Sequence, residues 1–398
     1  MSANELGRTI SGLIDAGFRD EAITRSTIDR SRIDVLLSTD PTPPIYGFTT
    51  LLGHLDAVPA TVNDQQRLLQ AHLVGPTHAF PHSWGRLLLA TKLSQLAHGQ
   101  SGLHPDTHRA LIGAAQTAAQ GGQQWIGNWT ASYSSGDVVS GAWFVEALCT
   151  RYSVRLAHRG DLIALISGSF VSTAAALIVV DCFDRLSKRA LALIRATTAM
   201  IPIPTGVQLP VTLRDLNPVT NFVDVALCGA LRGLRDRLSR ASGNPLFFAN
   251  DGEFAARSQS SFLDFTLTGA LTEAIQAIGA LAAYVRAAIR YATANDADSP
   301  DARVQPAKIA QALVRDIGLT ALPTEFALTE SEGVEDVGDL SLATARQLAT
   351  SLSRFERLLD LAEHASPAAL GEGNIDSPVL SDIAHLTDSK NLLPYLRQ

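Results

Sequence analysis

The stretch YSSGDVVSG, Tyr133 to Gly141, places two adjacent hydroxyls, a glycine and an acid behind an aromatic residue. Glycine lets such a stretch bend sharply. It therefore reads in two ways, as an ordinary small-residue loop or as three residues set to condense with one another. Other reactive side chains form weaker patterns. His72, His78 and His82 are among ten histidines. His78 and His82 would stand one turn apart on a helix, but Pro76 and Pro81 disfavour a helix there, so no metal site is expected. Cys149, Cys182 and Cys228 are widely spaced and form no CxxC pair. They read as small buried apolar residues of a reducing compartment, neither a zinc site nor a disulfide framework. The chain has no Walker A loop, GxGxxG, HExxH or GxSxG motif.

The elements that must position such residues are helical. Of the 398 residues, 46% are hydrophobic and only 18% charged, a balance that demands a large buried core. The net charge of −7 argues against a nucleic-acid partner. Residues 265–294 place Leu267, Leu271, Ile275, Ile278 and Leu281 at helical spacing without an interrupting proline. That predicts a helix of about 45 Å, at about 1.5 Å per residue, in a central bundle. Residues 83–97 and 340–365 predict two more. Ala164 to Phe183 is long and apolar enough to cross a bilayer. Its acid, Asp181, and the lack of a flanking basic cluster favour a helix buried on all sides instead. The N-terminus lacks the continuous apolar region of a signal peptide, so a cytoplasmic protein without membrane association is expected. Strand signals are few. Residues 206–213 read as one short extended piece, weakened by Pro210. Loops are expected at 38–47, 295–306 and 365–378, each rich in Pro, Gly, Asp or Ser.

Taken in order, several stretches resemble the aromatic amino acid lyases, the histidine and phenylalanine ammonia-lyases and related aminomutases. IYGFTTLLGH is similar to the family's YGxNTGFG loop, QQRLLQAHLVGP to the next helix and its SHxxG end, and WGRLLLATKLSQLAHGQSGLHPD to VRxxMxxRxNxLxxGxSG. YSSGDVVSG falls on GASGDLAPL, LIALISGSF on LALLNGTQ, GNPLFF and the following DGEF on DNPLxF and the following GxxxSGGNFH, and EGVEDVGDL on NQEDHVSM. The resemblance implies a mainly α protein, a long-helix bundle of the ammonia-lyase, fumarase/aspartase-like kind. It implies an N-terminal region over 1–160 carrying the Tyr loop and the cofactor-forming loop. A central bundle with a short C-terminal helical segment would follow over 161–398, in one continuous unit. It also implies a homo-oligomer, tetramer or dimer, with sites shared between subunits.

The same resemblance implies an electrophile, MIO, formed from Ser134, Ser135 and Gly136 by cyclisation with loss of two waters. The glycine nitrogen attacks a preceding carbonyl only in a sharply bent backbone, and Ser135 supplies the hydroxyl lost on dehydration. Ser134 stands where the family has alanine, and Asp137 also matches. Tyr46 and Glu335 fall on acid/base positions, giving Tyr46, Glu335 and Ser135 as catalytic candidates. His72, Ser167, Phe170, Asn221 and Gln259 fall on the substrate pocket. There the chain departs from the family. Ser167 replaces an asparagine and Phe170 a glutamine. RDLNPVTNFVD lacks the tyrosine and carboxylate-gripping arginine of QDPYSLRC, the nearest arginine, Arg214, lying before that position. RSQSS, Arg257 to Ser261, replaces GGNFH, and the chain is shorter than typical members. These changes point to an enzyme performing elimination, addition or rearrangement on a small molecule other than a free amino acid, in specialised metabolism. A MIO-dependent ammonia-lyase or aminomutase, and a non-catalytic structural or regulatory homologue, are the alternatives.

Overall fold

The computed structural model describes residues 1–132, 136–199, 208, 210–250, 253–295, 304–320, 327–330, 335–365 and 377–397. Helices dominate. In the N-terminal half run α1 (Ala3–Ala16), α2 (Asp20–Leu37), α3 (Asp64–His72), strand β1 (His78–Phe80), α4 (His82–Leu96) and α5 (Pro105–Ala119). Strand β2 (Trp125–Gly127), α6 (Val138–Tyr152) and the short α7 (Asp161–Ile166) follow. The bundle begins with α8 (Phe170–Ala199) and α9 (Asn217–Leu238), continues past the hairpin β3 (Leu246–Asn250) and β4 (Glu253–Arg257), and runs on through α10 (Phe265–Asn295) and α11 (Val304–Gly318). Strands β5 (Ala327–Glu330) and β6 (Glu335–Val337) precede α12 (Ser341–Ala365), and α13 (Ala384–Thr387) and α14 (Ser389–Leu396) close the described chain. The strands form three separate antiparallel pairs, β1 with β2, β3 with β4 and β5 with β6.

The bundle is built by α8, α9, α10 and α12, with α11 against α10 and α12, and α1 and α4 packed on its N-terminal side. Its cause is apolar periodicity. Along α10, Leu267, Leu271, Ile275, Ile278, Leu281 and Val285 recur at three- and four-residue steps and are all buried. Truncating one such leucine to alanine costs about 2–5 kcal/mol. The α8 helix differs, because every residue from Phe170 to Asp184 is buried. That all-round burial accounts for its membrane-like hydropathy. One contiguous apolar core extends from Leu6 to Leu396.

Three sequence expectations are corrected in detail. The run from Ala164 to Phe183 is two helices, because Ser167 adopts an extended conformation at the C-terminus of α7 and Gly168 has φ +125°. Of the extended piece expected over 206–213, the described C-terminal part, Val211–Leu213, is instead a 3-10 turn after Pro210. Among the described residues three antiparallel strand pairs form elsewhere in the chain, none of which was expected from the sequence.

Candidate active site

Tyr46 is presented by a tight loop. The amides of Phe48, Thr49 and Thr50 all donate to the Ile45 carbonyl, and Thr49 Oγ1 accepts the Ile45 amide at 2.7 Å and donates to the Pro43 carbonyl at 2.9 Å. Gly47, at φ +69°, lets the loop approach α7: a Cβ there would meet the Ile163 side chain at 2.7 Å. The phenolic oxygen of Tyr46 accepts the Gly53 amide at 2.9 Å. His72 ends α3, and its Nδ1 lies 2.7 Å from the Leu68 carbonyl. A carbonyl only accepts, so Nδ1 carries the proton and Nε2 of the neutral ring is an acceptor.

These two side chains face one cavity of about 280 Å³, with Gly136, Ser167, His54, Asn244 and Phe262 among its walls. Apolar side chains of Ile163 and Ile166 on α7 and Val138 on α6 complete it. Among the described residues lining it there is no lysine or arginine. An adjoining cavity of about 460 Å³ shares Tyr46 and is lined by Asp56 and Arg257.

Gly136 closes the loop whose first residues, Tyr133, Ser134 and Ser135, lie outside the described residues. It has φ +81°, and the next residue, Asp137, has φ +50°. Two consecutive left-handed residues reverse the chain just after the triad, and glycine at the first of them is compatible with a backbone-derived MIO at this loop. Asp137 ties this turn to the bundle. One carboxylate oxygen accepts Ser132 Oγ at 2.8 Å and the other accepts the Ser172 amide at 2.9 Å. The latter is an otherwise orphaned donor in the first turn of α8, where the helix dipole also favours a negative charge. Arg237 donates to Ser172 Oγ at 2.7 Å, pairs closely with Asp339 and lies 3.6 Å from Asp264. Burial pushes the Asp339 carboxyl above its ordinary range, and the Arg237 guanidinium offsets this only in part.

Ser167 is held from both sides. Its carbonyl accepts the Lys92 ammonium at 2.8 Å, and its hydroxyl accepts the Asn244 amide at 3.0 Å. Lys92 is completely enclosed, with its Nζ 4.8 Å from the centre of the Phe170 ring. Desolvation without a paired carboxylate pulls its ammonium down to about 7.

The structure thus brings Tyr46, His72, Gly136 and Ser167 to one cavity. It leaves three other sequence candidates off its walls. Phe170 is the first residue of α8 and is fully buried, packed against Phe144 at 5.0 Å, so it is core instead of pocket. Asn221 is exposed on α9. Gln259 follows β4, where its amide donates to Asn244 Oδ1 at 3.0 Å, so it supports Asn244 behind the wall. Glu335 begins β6 opposite Glu330, and its side chain lies outside the described residues. Sequence reasoning missed His54, Asn244, Phe262, Lys92 and Arg237. The GNPLFF stretch contained Asn244 and WGRLLLATKLSQLAHGQSGLHPD contained Lys92, but neither match singled the residue out.

A model described as the aromatic amino acid lyase family matches residues 15–119, the segment that carries Tyr46, His72 and Lys92. Tyrosine aminomutase from Streptomyces globisporus has a similar fold, with 16% identity, a TM-score of 0.69, and coverage of 100% of this chain and 96% of that one. Histidine ammonia-lyase from Trypanosoma cruzi matches at 17% identity and a TM-score of 0.69, covering 98% and 91% of the two chains. The ergothioneine-degrading ergothionase from Treponema denticola matches at 14% identity and a TM-score of 0.71, covering 98% and 97%. The resemblance read from the sequence is borne out to this extent: residues 15–119 match the model of the aromatic amino acid lyases, and the chain as a whole has the fold of ammonia-lyases and aminomutases.

Proposed function

We propose that this protein is a lyase-type enzyme catalysing acid/base elimination, addition or rearrangement on a small molecule other than a free amino acid, in specialised metabolism. The observation that carries the reading is the 280 Å³ cavity itself. It joins a phenol, Tyr46, an imidazole acceptor, His72, and the end of the cofactor-forming loop, Gly136, yet no lysine or arginine lines it among the described residues. A carboxylate brought into such a space without a charge-assisted partner would be poorly bound. Apolar walls from Ile163, Ile166 and Phe262 suit an aromatic or aliphatic body. Tyr46 takes or gives the proton at the reacting carbon, and His72 Nε2 accepts a hydrogen bond from a hydroxyl or amide of the substrate. Ser134, Ser135 and Gly136 would form MIO, whose chemistry is to supply an electrophile that activates a leaving group. The site is proposed to be completed in a homo-oligomer.

One observation favours the amino-acid reading instead. Arg257 lines the adjoining cavity across Tyr46, and a guanidinium there would grip a carboxylate. The two readings separate cleanly. Intact mass of the purified chain, lower by two waters than its sequence requires, is expected for the cyclised triad, and a full-mass chain would remove MIO from both. Incubation with a panel of aromatic amino acids is expected to release no ammonia. Release that disappears in Arg257→Ala would establish the ammonia-lyase reading. Tyr46→Phe is expected to lower turnover of the true substrate by about 10²–10⁴-fold, the usual size of a general acid/base contribution. An unchanged rate would remove Tyr46 from the mechanism.

A further inference from the structure

A second group of reactive side chains lies away from the cavity walls. His104 is the N-cap of α5, Asp106 sits in its first turn, and His158 lies on the connection between α6 and α7. Their ligand atoms all fall within 4.8 Å of one another. His104 Nδ1 is 3.6 Å and His158 Nε2 is 4.0 Å from Asp106 Oδ2. Ligands arranged tetrahedrally about zinc at about 2.1 Å stand about 3.4 Å apart. The trio is therefore already close to the edges of a coordination polyhedron before any ion enters.

The site is also held in place. Asp161, fully buried at the start of α7, accepts the His104 amide at 3.3 Å on one oxygen and the His158 amide at 2.9 Å on the other. Thr107 Oγ1 donates to the same carboxylate at 2.9 Å. One buried acid thus clamps the two histidine backbones, which are 54 positions apart in the chain. The imidazoles stack with centroids 3.3 Å apart and planes within 10°, so one ring must tilt for both in-plane lone pairs to meet at a shared ion. The Asp106 amide donates to His104 Nδ1 at 3.2 Å, so Nε2 carries the proton, and an ion would take over the Nδ1 lone pair from that capping bond. Arg109 holds the other carboxylate oxygen of Asp106 at 2.6 Å and turns Oδ2 toward the histidines.

We infer that His104, Asp106 and His158 form a binding site for a borderline divalent cation of the zinc, cobalt or nickel type. Two imidazole nitrogens and one carboxylate oxygen select such ions over magnesium or calcium, which prefer all-oxygen shells. Solvent completes the coordination, because Asp106 is exposed and both histidines are half-buried. None of the three residues lines the 280 Å³ cavity, so the site stands whether or not the proposed reaction is correct.

Titration of chelator-treated full-length protein with Zn(II), followed calorimetrically, is expected to show one site per chain and a rise in melting temperature with metal concentration. Co(II) should give the visible absorption of a tetrahedral nitrogen and oxygen shell. His104→Asn, which keeps a capping side chain at α5, and His158→Gln should each weaken binding by about tenfold or more while leaving the circular dichroism unchanged. Asp106→Asn should weaken it less, and His78→Gln should bind as the unaltered chain does. Absence of binding, or affinity unchanged in both His104→Asn and His158→Gln, would overturn the inference.

Discussion

Two buried cations stand behind the cavity, and the fold treats them in opposite ways. Arg237 is 1% exposed and lies between Asp339 and Asp264, so its charge is matched. Lys92 is equally enclosed but donates to a neutral carbonyl and rests over the face of Phe170. The difference follows from what each must hold. Arg237 joins Ser172 at the start of α8 to the acids that cap α10 and α12, where Leu267 and Ser341 donate to Asp264 and Asp339. A matched charge makes that junction rigid. Lys92 holds a single carbonyl on the cavity wall, and its ammonium, at about 7, is poised to lose its proton near neutral pH. A charged network anchors the loop side of the cavity, whereas a titratable lysine anchors the α7 side.

The sharpest way to break this comparison is Arg237→Met. It strands Asp339 and Asp264 in the core and should cost about 3–5 kcal/mol in chemical denaturation. A cost near that of a surface substitution would show that the network is not a structural clamp. Lys92→Met probes the other side. Free Lys titrates near 10.4 and Lys92 at about 7, so between these values the unfolded chain binds the extra proton. Stability of the unaltered protein should therefore rise with pH across that window by up to about 4 kcal/mol relative to Lys92→Met. Parallel pH profiles of the two proteins would show that Lys92 does not titrate in this range. Asp137→Asn removes the charge that meets the α8 N-terminus and should cost about 1–3 kcal/mol. If that contact also shapes the reversal at Gly136, the variant should retain both waters in its intact mass. Ser172→Ala removes only the hydroxyl that accepts from Arg237, with a cost of about 1 kcal/mol expected from urea unfolding.

Much of the fold was legible because its driving pattern is local. The α10 helix spans Phe265–Asn295 and α12 spans Ser341–Ala365, close to where leucine and alanine periodicity put them. The break inside residues 164–183 was not legible, because continuous hydrophobicity hides Gly168 and the extended Ser167. Of the site, the loops of Tyr46 and Gly136 were found through ordered motif matches, since their small residues keep their spacing. Phe170 was misplaced because its alignment position gave no hint of which way the helix turns it. The metal-ligand trio escaped entirely, because His104 and His158 lie far apart in the chain and meet only in the fold, where Asp161 clamps both backbones.

By itself, the sequence determined the helical class, the lengths of α10 and α12 and the family whose fold the chain resembles. Hydrophobic periodicity and loop residues act over a few turns of chain, so a linear reading captures them. Tertiary structure alone decided which charges meet. Arg237 and Asp339 are 102 residues apart, and Lys92 and Ser167 are 75. Coulombic matching and desolvation depend on distance in space and on the exclusion of water, and neither is written in the order of the residues.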